Sequence, residues 1–275
     1  MIKIFLSVRN RLAITKKCIY ALKEHSTIEH KIYVYDNSTN YLLKEHFDYF
    51  YTMYEKKFIS QITFTSENST FNTFSKAATC NFFGNQHNED PLKDKYDFLV
   101  ILDNDIIVTP GWDSKIHEAW SYVAKNKLNH IKIIGQLPGG IKNKIEKHKI
   151  GDMDCRAGKL GGSGLWAIRT NFFNDIGFLN LKQLINHNKK HDQTYWGMLE
   201  KKTNGKPYIL GLQHKLGVHC GKYAGSVCNK LTKIKDKKER DKAIHFKNAE
   251  EGIAKISFKD FYNEIINDKQ LLNDW

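Results

Sequence analysis

The chain has 275 residues, of which 41% are hydrophobic and 27% charged. That is enough for one large α/β domain with a sizeable core, and it excludes disordered and fibrous classes. The net charge of +13, from 43 Lys and Arg against 30 Asp and Glu, favours acidic partners such as nucleic acid, anionic membrane or phosphorylated substrates, although a Lys-, Asn- and Ile-rich coding bias accounts for the same excess without any partner.

In chain order, IKIFLSV (2–8) predicts a buried strand, and a helix over 12–25 follows with Ile14, Cys18, Ala21 and Leu22 at helical spacing. KIYVYD predicts the second strand, the Tyr- and Phe-rich stretch 41–57 the second helix, and SQITFTS the third strand. A helix is expected over 70–85, a fourth strand over Phe98–Leu102, a helix over 112–126 and a fifth strand at HIKIIGQ. Such alternation implies an α/β fold, a mostly parallel sheet with helices on both faces. Ligands of such sheets bind beyond the carboxyl ends of the strands, where Asp36, Asp103 and Asp105 fall. From residue 137 the texture changes. LPGGIKNKIEKHKIGDMD reads as a Gly- and Lys-rich loop, KLGGSGLWAIR as a loop entering a strand, HDQTYWGMLEK as the start of a helix, and HKLGVHCG as a short strand ending on His219. Beyond Asn229 the pattern is helical and charged, so the expected division is a domain over 1–228 and a basic helical appendage over 229–275.

No run approaches the ~20 apolar residues of a transmembrane span, and the apolar part of MIKIFLSVRN is too brief for a signal peptide. Five cysteines without CxxC spacing point to reduced thiols in a cytoplasmic protein, with no zinc site.

The stretch DFLVILDNDIIVTPGW (97–112) carries the strongest chemical signal. A buried ionised carboxylate is costly unless it is paired or binds a metal, yet two of them close this apolar run. One residue apart in extended backbone, Asp103 and Asp105 would point alike and share one hard cation, Mg²⁺ or Mn²⁺, or its waters. Such a cation can neutralise charge on a departing diphosphate. A polar turn that closes the strand, with Asp105 capping a backbone N–H, explains the same residues.

Several segments in order resemble a GT-A fold glycosyltransferase of the family 2 kind, over roughly residues 2–221. FLSVRNRLAITKKCIYAL resembles the opening strand, Asn-containing loop and first helix; VYDNSTN the second-strand motif; FNTFSKAATCN the helix after the third strand; and LDND the DxD motif. GGSGLWAIRTNFFNDIGFLN resembles the acceptor-side loop and strand, HDQ stands where that family has its catalytic acidic pair, and VHCG resembles the late His of the metal site. The resemblance implies a nucleotide-diphosphate sugar, of the UDP-sugar kind, as donor, with Mn²⁺ or Mg²⁺. It implies that Asn10, Asp36, Asp103, Gly162 and Ser163 contact the donor, Asp36 at its base or ribose. Asp103, Asp105 and His219 would hold the metal, and Asp192 would be the general base of an inverting transfer. The usual Pro-Thr-Tyr-Asn is Ser7-Val8-Arg9-Asn10 here, and His191 replaces the acid before the base. Asp192 as a helix cap, His219 as a core histidine, and Gly161, Gly162 and Gly164 as a tight turn remain open readings.

For the acceptor, the basic segment 222–247 and the cluster Lys142, Lys144, Lys147 and Lys149 match the electrostatic footprint of phosphate-backbone binding. A solvated helix with i,i+4 ion pairs explains 222–247 equally well. A narrower resemblance, to the small transferases of T-even-type phages that glycosylate hydroxymethylated cytosine, implies DNA as the acceptor. Trp166, Tyr195 and Trp196 would then be available to stack on an extruded base. The alternatives are a cell-surface glycan or protein acceptor, a nucleotidyltransferase, and a catalytically inactive binding module. SVRNRLAITK lacks the glycine that a nucleotidyltransferase's phosphate loop needs, and the Asp103, Asp105, Asp192 and His219 set argues against an inactive module.

Overall fold

Two neighbouring strands explain how the core is divided. In Ile2–Val8, the side chains of Ile2, Ile4, Leu6 and Val8 enter one apolar layer and Phe5 enters another. In Leu99–Asp103, Val100 and Leu102 join the first layer and Leu99 and Ile101 the second. Side chains alternate across a strand, so burial on both faces demands the near-continuous apolar runs of the sequence.

The computed structural model describes residues 1–38, 43–64, 75–136, 142–159, 164–178, 191–220 and 251–267, without the side chains of 43, 75–78, 142–145 and 191–196. Its elements are β1 (Ile2–Val8), α1 (Leu12–His25), β2 (His30–Asp36), α2 (Leu43–Glu55), β3 (Gln61–Phe64), α3 (Ser75–Glu89), β4 (Leu99–Asp103), β5 (Ile106–Val108) and α4 (Trp112–Lys125). There follow β6 (Ile133–Gln136), β7 (Lys142–Ile150), β8 (Met153–Lys159), β9 (Leu165–Ile168), α5 (Phe172–Ile176), α6 (His191–Lys202), β10 (Ile209–Leu212), β11 (Gly217–His219) and α7 (Phe258–Asn267). Among the described residues, nine strands form one sheet in the order β3-β2-β1-β4-β9-β6-β10-β8-β7, and β11 pairs with β5 in a second, smaller one. In the large sheet only β8 and β9 run against the rest. The fold is therefore mixed α/β with a mostly parallel sheet, as the alternation implies. Parallel register sets Val8 opposite Asp36, and Ser7 opposite Asp103. The carboxyl ends of three strands thus meet at one rim.

One expectation changes. The segment read as a Gly- and Lys-rich loop after residue 137 is, from Lys142 onward, an antiparallel hairpin of β7 and β8, with Ile150 paired to Met153. Gly151, at φ 55°, supplies the turn, and the Gly-Asp pair between two strand segments is a hairpin signal. The lysines that suggested a loop belong instead to an edge strand, where charge discourages pairing with other chains. Residues 137–141 lie outside the described residues.

The described part of the C-terminal segment, residues 251–267, packs on α1. Phe258 packs on Tyr20, with ring centroids 4.6 Å apart, and Tyr262 on His25, at 4.8 Å. Ile253, Phe261 and Ile265 share an apolar layer with Ile14 and Cys18 of α1. Among the described residues, no helix is long and apolar enough to cross a membrane. Among the described residues, the thiols of Cys18, Cys80, Cys155 and Cys220 are buried and form no disulfide.

Candidate active site

The site starts from two residues in unfavourable backbone. Asn10 and Arg11, between β1 and α1, have φ of 53° and 59°. Left-handed conformations cost L-residues roughly 1–2 kcal/mol each, so the surroundings must hold them. The Asn10 N–H donates to Ser38 Oγ at 2.7 Å, and Asn104 Nδ2 donates to the Asn10 carbonyl at 3.0 Å. Asn104 Nδ2 also reaches Thr15 Oγ1 at 2.7 Å, and that hydroxyl donates to the Arg11 carbonyl at 2.9 Å. Ser38 is in turn tied to Asp36, whose Oδ1 accepts the Ser38 N–H at 2.8 Å. Asp36 Oδ2 lies 2.7 Å from His46 Nδ1; a carboxylate can only accept, so the proton sits on Nδ1. Both side chains are fully buried. The strand-end acid, the second-strand loop and the middle residue of Asp-Asn-Asp therefore fix one small turn.

That turn aims Arg11 at Asp105. Arg11 Nη1 lies 2.7 Å from Asp105 Oδ2, with the side chains 29% and 11% exposed. His219 Nε2 stands 3.4 Å from the same oxygen. Strand pairing explains the meeting: His219 is opposite Ile106, and the Cys220 N–H donates to the Asp105 carbonyl at 2.7 Å. β11 is anchored by Gln136, whose Oε1 accepts the N–H groups of Leu216 and Gly217 at 2.9 and 3.0 Å. Gly217 permits the approach, because a Cβ there would lie 2.9 Å from Ile106 Cγ2 and 3.2 Å from the Ile107 carbonyl oxygen. Hydrogen bonding to Asp105 outweighs burial and holds the His219 pKa above its ordinary value, with Asp103 adding to the effect and Arg11 opposing it. Burial, then the Asp105 charge, pushes the thiols of Cys18 and Cys220 far up, which rules them out as thiolate nucleophiles at neutral pH.

Asp103 ends β4, and Asn104-Asp105 form a turn. The extended Asp-x-Asp geometry expected from the sequence is therefore replaced by a turn, yet both carboxylates act on His219 and on Cys18. Asn10, Asp103, Asp105 and His219 meet at one rim, with Asp36 behind them. Gly162 and Ser163 lie outside the described residues, as does the segment 222–247. Asp192 is the second residue of α6, and its side chain, like those of Tyr195 and Trp196, is outside the description. Trp166 is a correction: it is 1% exposed, faces the second apolar layer from β9 and has no surface for stacking on a base. Residues missed from the sequence are Arg11, Thr15, Ser38, His46, Asn104 and Gln136. Asn104 stands between two acids and Thr15 precedes two lysines, so no local signal marked either as buried. A separate cavity of about 510 Å³, lined by Lys132, Arg169 and Asp175 among others, lies at the opposite rim, where β6 begins and β9 ends.

The donor set suits a hard cation that keeps open positions. Among the described residues no three His, Cys, Asp or Glu side chains form a ready cage. Mg²⁺ is commonly held by one or two carboxylates plus substrate phosphates, a use that Asp105 and Asp103 could serve, and His219, 3.4 Å from Asp105 Oδ2, adds an imidazole, a ligand that transition metals accept.

The sheet order and the acids at its carboxyl rim define a GT-A type of fold. Solved structures similar in fold include GalNAc-T7, crystallised with UDP, GalNAc and Mn²⁺, at TM-score 0.53 and 11% identity over 78% of this chain and 44% of that one. S. aureus TarS (residues 1–349) is similar at TM-score 0.48 and 12% identity, over 90% of this chain and 71% of that one. Neither the family models nor the curated protein sequences give a match.

Proposed function

We propose that this chain is a glycosyltransferase that moves a sugar from a nucleotide-diphosphate sugar, of the UDP-sugar kind, to an acceptor hydroxyl. The observation that carries the reading is the convergence of Asp105, His219 and Arg11 at the carboxyl rim of a GT-A sheet. The GalNAc-T7 structure, similar in fold, holds UDP and Mn²⁺, which supports the same donor class here. Asp105 and His219, with Asp103, would hold a divalent cation, whose charge would favour departure of the diphosphate. Asn10 and the 162–163 loop would flank the donor. Asp36, buried, would support the base end through Ser38 and the Asn10 turn.

Asp192 takes the proton of the acceptor hydroxyl, and that oxygen attacks the anomeric carbon as the bond to the diphosphate oxygen breaks. The electron pair leaves with the diphosphate, and the anomeric configuration inverts. For the acceptor, the +13 net charge supports a polyanion, and the reading we carry is a hydroxymethylated base in DNA, modified in the cytoplasm.

The test is a panel of nucleotide sugars with Mn²⁺, read as release of free nucleotide. Asp192→Asn should keep donor binding and lose about 10²–10⁴-fold in turnover; near-normal turnover would leave Asp192 a helix cap. Transfer to hydroxymethylcytosine DNA, with plain DNA inert, is the expected acceptor result. Transfer to a soluble glycan alone would replace the DNA acceptor and keep the enzyme class.

A further inference from the structure

We infer that Arg11 is an internal counter-cation of the metal site: it holds Asp105 when no divalent ion is bound, and on displacement it serves the donor's diphosphate. The inference rests on the function proposed above and deepens it. Three observations meet. Arg11 Nη1 lies 2.7 Å from Asp105 Oδ2, the oxygen that also faces His219, so a cation held by Asp105 and His219 would compete with the guanidinium for that carboxylate. Arg11 sits in a left-handed conformation that costs free energy and that Asn104, Ser38 and Thr15 maintain. A turn held so firmly serves to aim the residue it carries. Finally, Arg11 keeps 29% of its side chain exposed while Asp105 keeps 11%, so the guanidinium borders the open side of the pair.

A guanidinium offers a planar fork of donors that suits phosphate oxygens. When a cation takes Asp105, Arg11 loses its acceptor there while its backbone stays pinned. The diphosphate of a bound donor would bring new acceptors to the same rim. Arg11 therefore opposes binding of the bare ion and favours binding of nucleotide with the ion. It is a positioning residue, and its effects on the two ligands have opposite signs.

Mn²⁺ binding to the full chain, followed without nucleotide by the spin-resonance signal of free Mn²⁺, tests the first half. Arg11→Gln should bind Mn²⁺ about tenfold more tightly than the native chain, about 1.4 kcal/mol. Arg11→Lys, which keeps the charge, should stay within about threefold of the native value. The second half is UDP binding at saturating Mn²⁺, which Arg11→Gln should weaken by about tenfold. Unchanged or weaker Mn²⁺ binding by a folded Arg11→Gln chain overturns the inference. Should that substitution unfold the turn, Arg11→Gly, free of left-handed strain, carries the same expectation. Asp105→Ala separates the two levels. Mn²⁺ binding that survives it places the metal elsewhere and defeats the site reading itself; binding lost with Asp105 but indifferent to Arg11 defeats only the role of Arg11.

Discussion

Two carboxylates on opposite rims of the sheet each hold a cation, and they are nearly equal in exposure. Asp105, at the carboxyl rim, has 11% of its side chain accessible, and Asp90, at the amino rim, has 12%. Their partners differ. Lys3 of β1, 2.5 Å from Asp90, is 1% exposed, and its ammonium lies 4.3 Å from the Tyr33 ring centroid, 5.2 Å from Tyr96 and 5.5 Å from Phe5. Asp90 also accepts from the Leu92 N–H and the Tyr96 hydroxyl. Arg11 keeps a substantial exposed fraction and a second neighbour of its acid, His219. The burial of the acid does not distinguish a structural pair from a chemical one; the openness of the cation beside it does. Around Lys3, three aromatic rings and Asp90 close over the ammonium, which is 1% exposed, so no ligand can enter. Arg11 keeps 29% of its side chain exposed, so a group from solvent can approach it.

The contrast can be broken from the closed side first. Asp90→Ala leaves a buried ammonium without its acid, which should cost about 3–5 kcal/mol in chemical denaturation while the folded fraction keeps its affinity for nucleotide. A loss below about 1 kcal/mol would mean that the pair is no more than a surface bridge. From the open side, Asp105→Ala should lower turnover by roughly a hundred- to a thousandfold, the scale of several kcal/mol that a metal site contributes to the transition state. Its denaturation free energy should move by less than about 1 kcal/mol, since a partly exposed ion pair contributes little. If stability and turnover fall together, the two rims are alike and the distinction fails.

Asn104→Ala lies between them. It removes the amide that holds the Asn10 carbonyl and Thr15, and the loss of a satisfied buried group should cost about 1–3 kcal/mol. Because the same turn aims Arg11, Mn²⁺ affinity should change as well, which the Asp90 variant should not show.

The smallest effect is the pH dependence of the closed pair. Burial raises the Asp90 pKa, but hydrogen bonds from Lys3, Leu92 and Tyr96 and the Lys3 charge outweigh it and set the pKa below the ordinary value. Its contribution to stability is therefore complete above the unfolded-state value near pH ~4 and is lost as pH falls through the lower folded value. Unfolding free energies measured from pH 6 down to pH 2 should show this acid limb, and Asp90→Asn should flatten it. A limb of unchanged depth in Asp90→Asn would assign it to other carboxylates.

Much of the architecture was legible along the chain because burial on both faces leaves a local trace. IKIFLSV became β1 over the same residues, and the helix over 12–25 became α1. The run ending in Leu102 became β4, shifted by one residue to Leu99–Asp103. The β7–β8 hairpin was missed because an edge strand is buried on neither polar face, so its lysines hide the alternation that would announce it. Asp36, Asp103, Asp105 and His219 were singled out by type and order. Arg11, Ser38 and His46 were not, since nothing local marks an arginine as the partner of an acid 94 residues away.

The sequence by itself determined the alternation of strands and helices, the two-sided core and the placing of Asp36, Asp103 and Asp105 at strand ends, because these follow from apolar periodicity over a few residues. Only the tertiary structure decided that Asp103-Asn104-Asp105 turns instead of extending, that Trp166 faces the core, and that His219 and Arg11 share one oxygen of Asp105. Those outcomes depend on which strands pair, on the glycine that lets β11 approach β5, and on hydrogen bonds that close over long separations. Short-range pattern carries no information about them, since each is set by the balance of packing and polar satisfaction across the whole sheet.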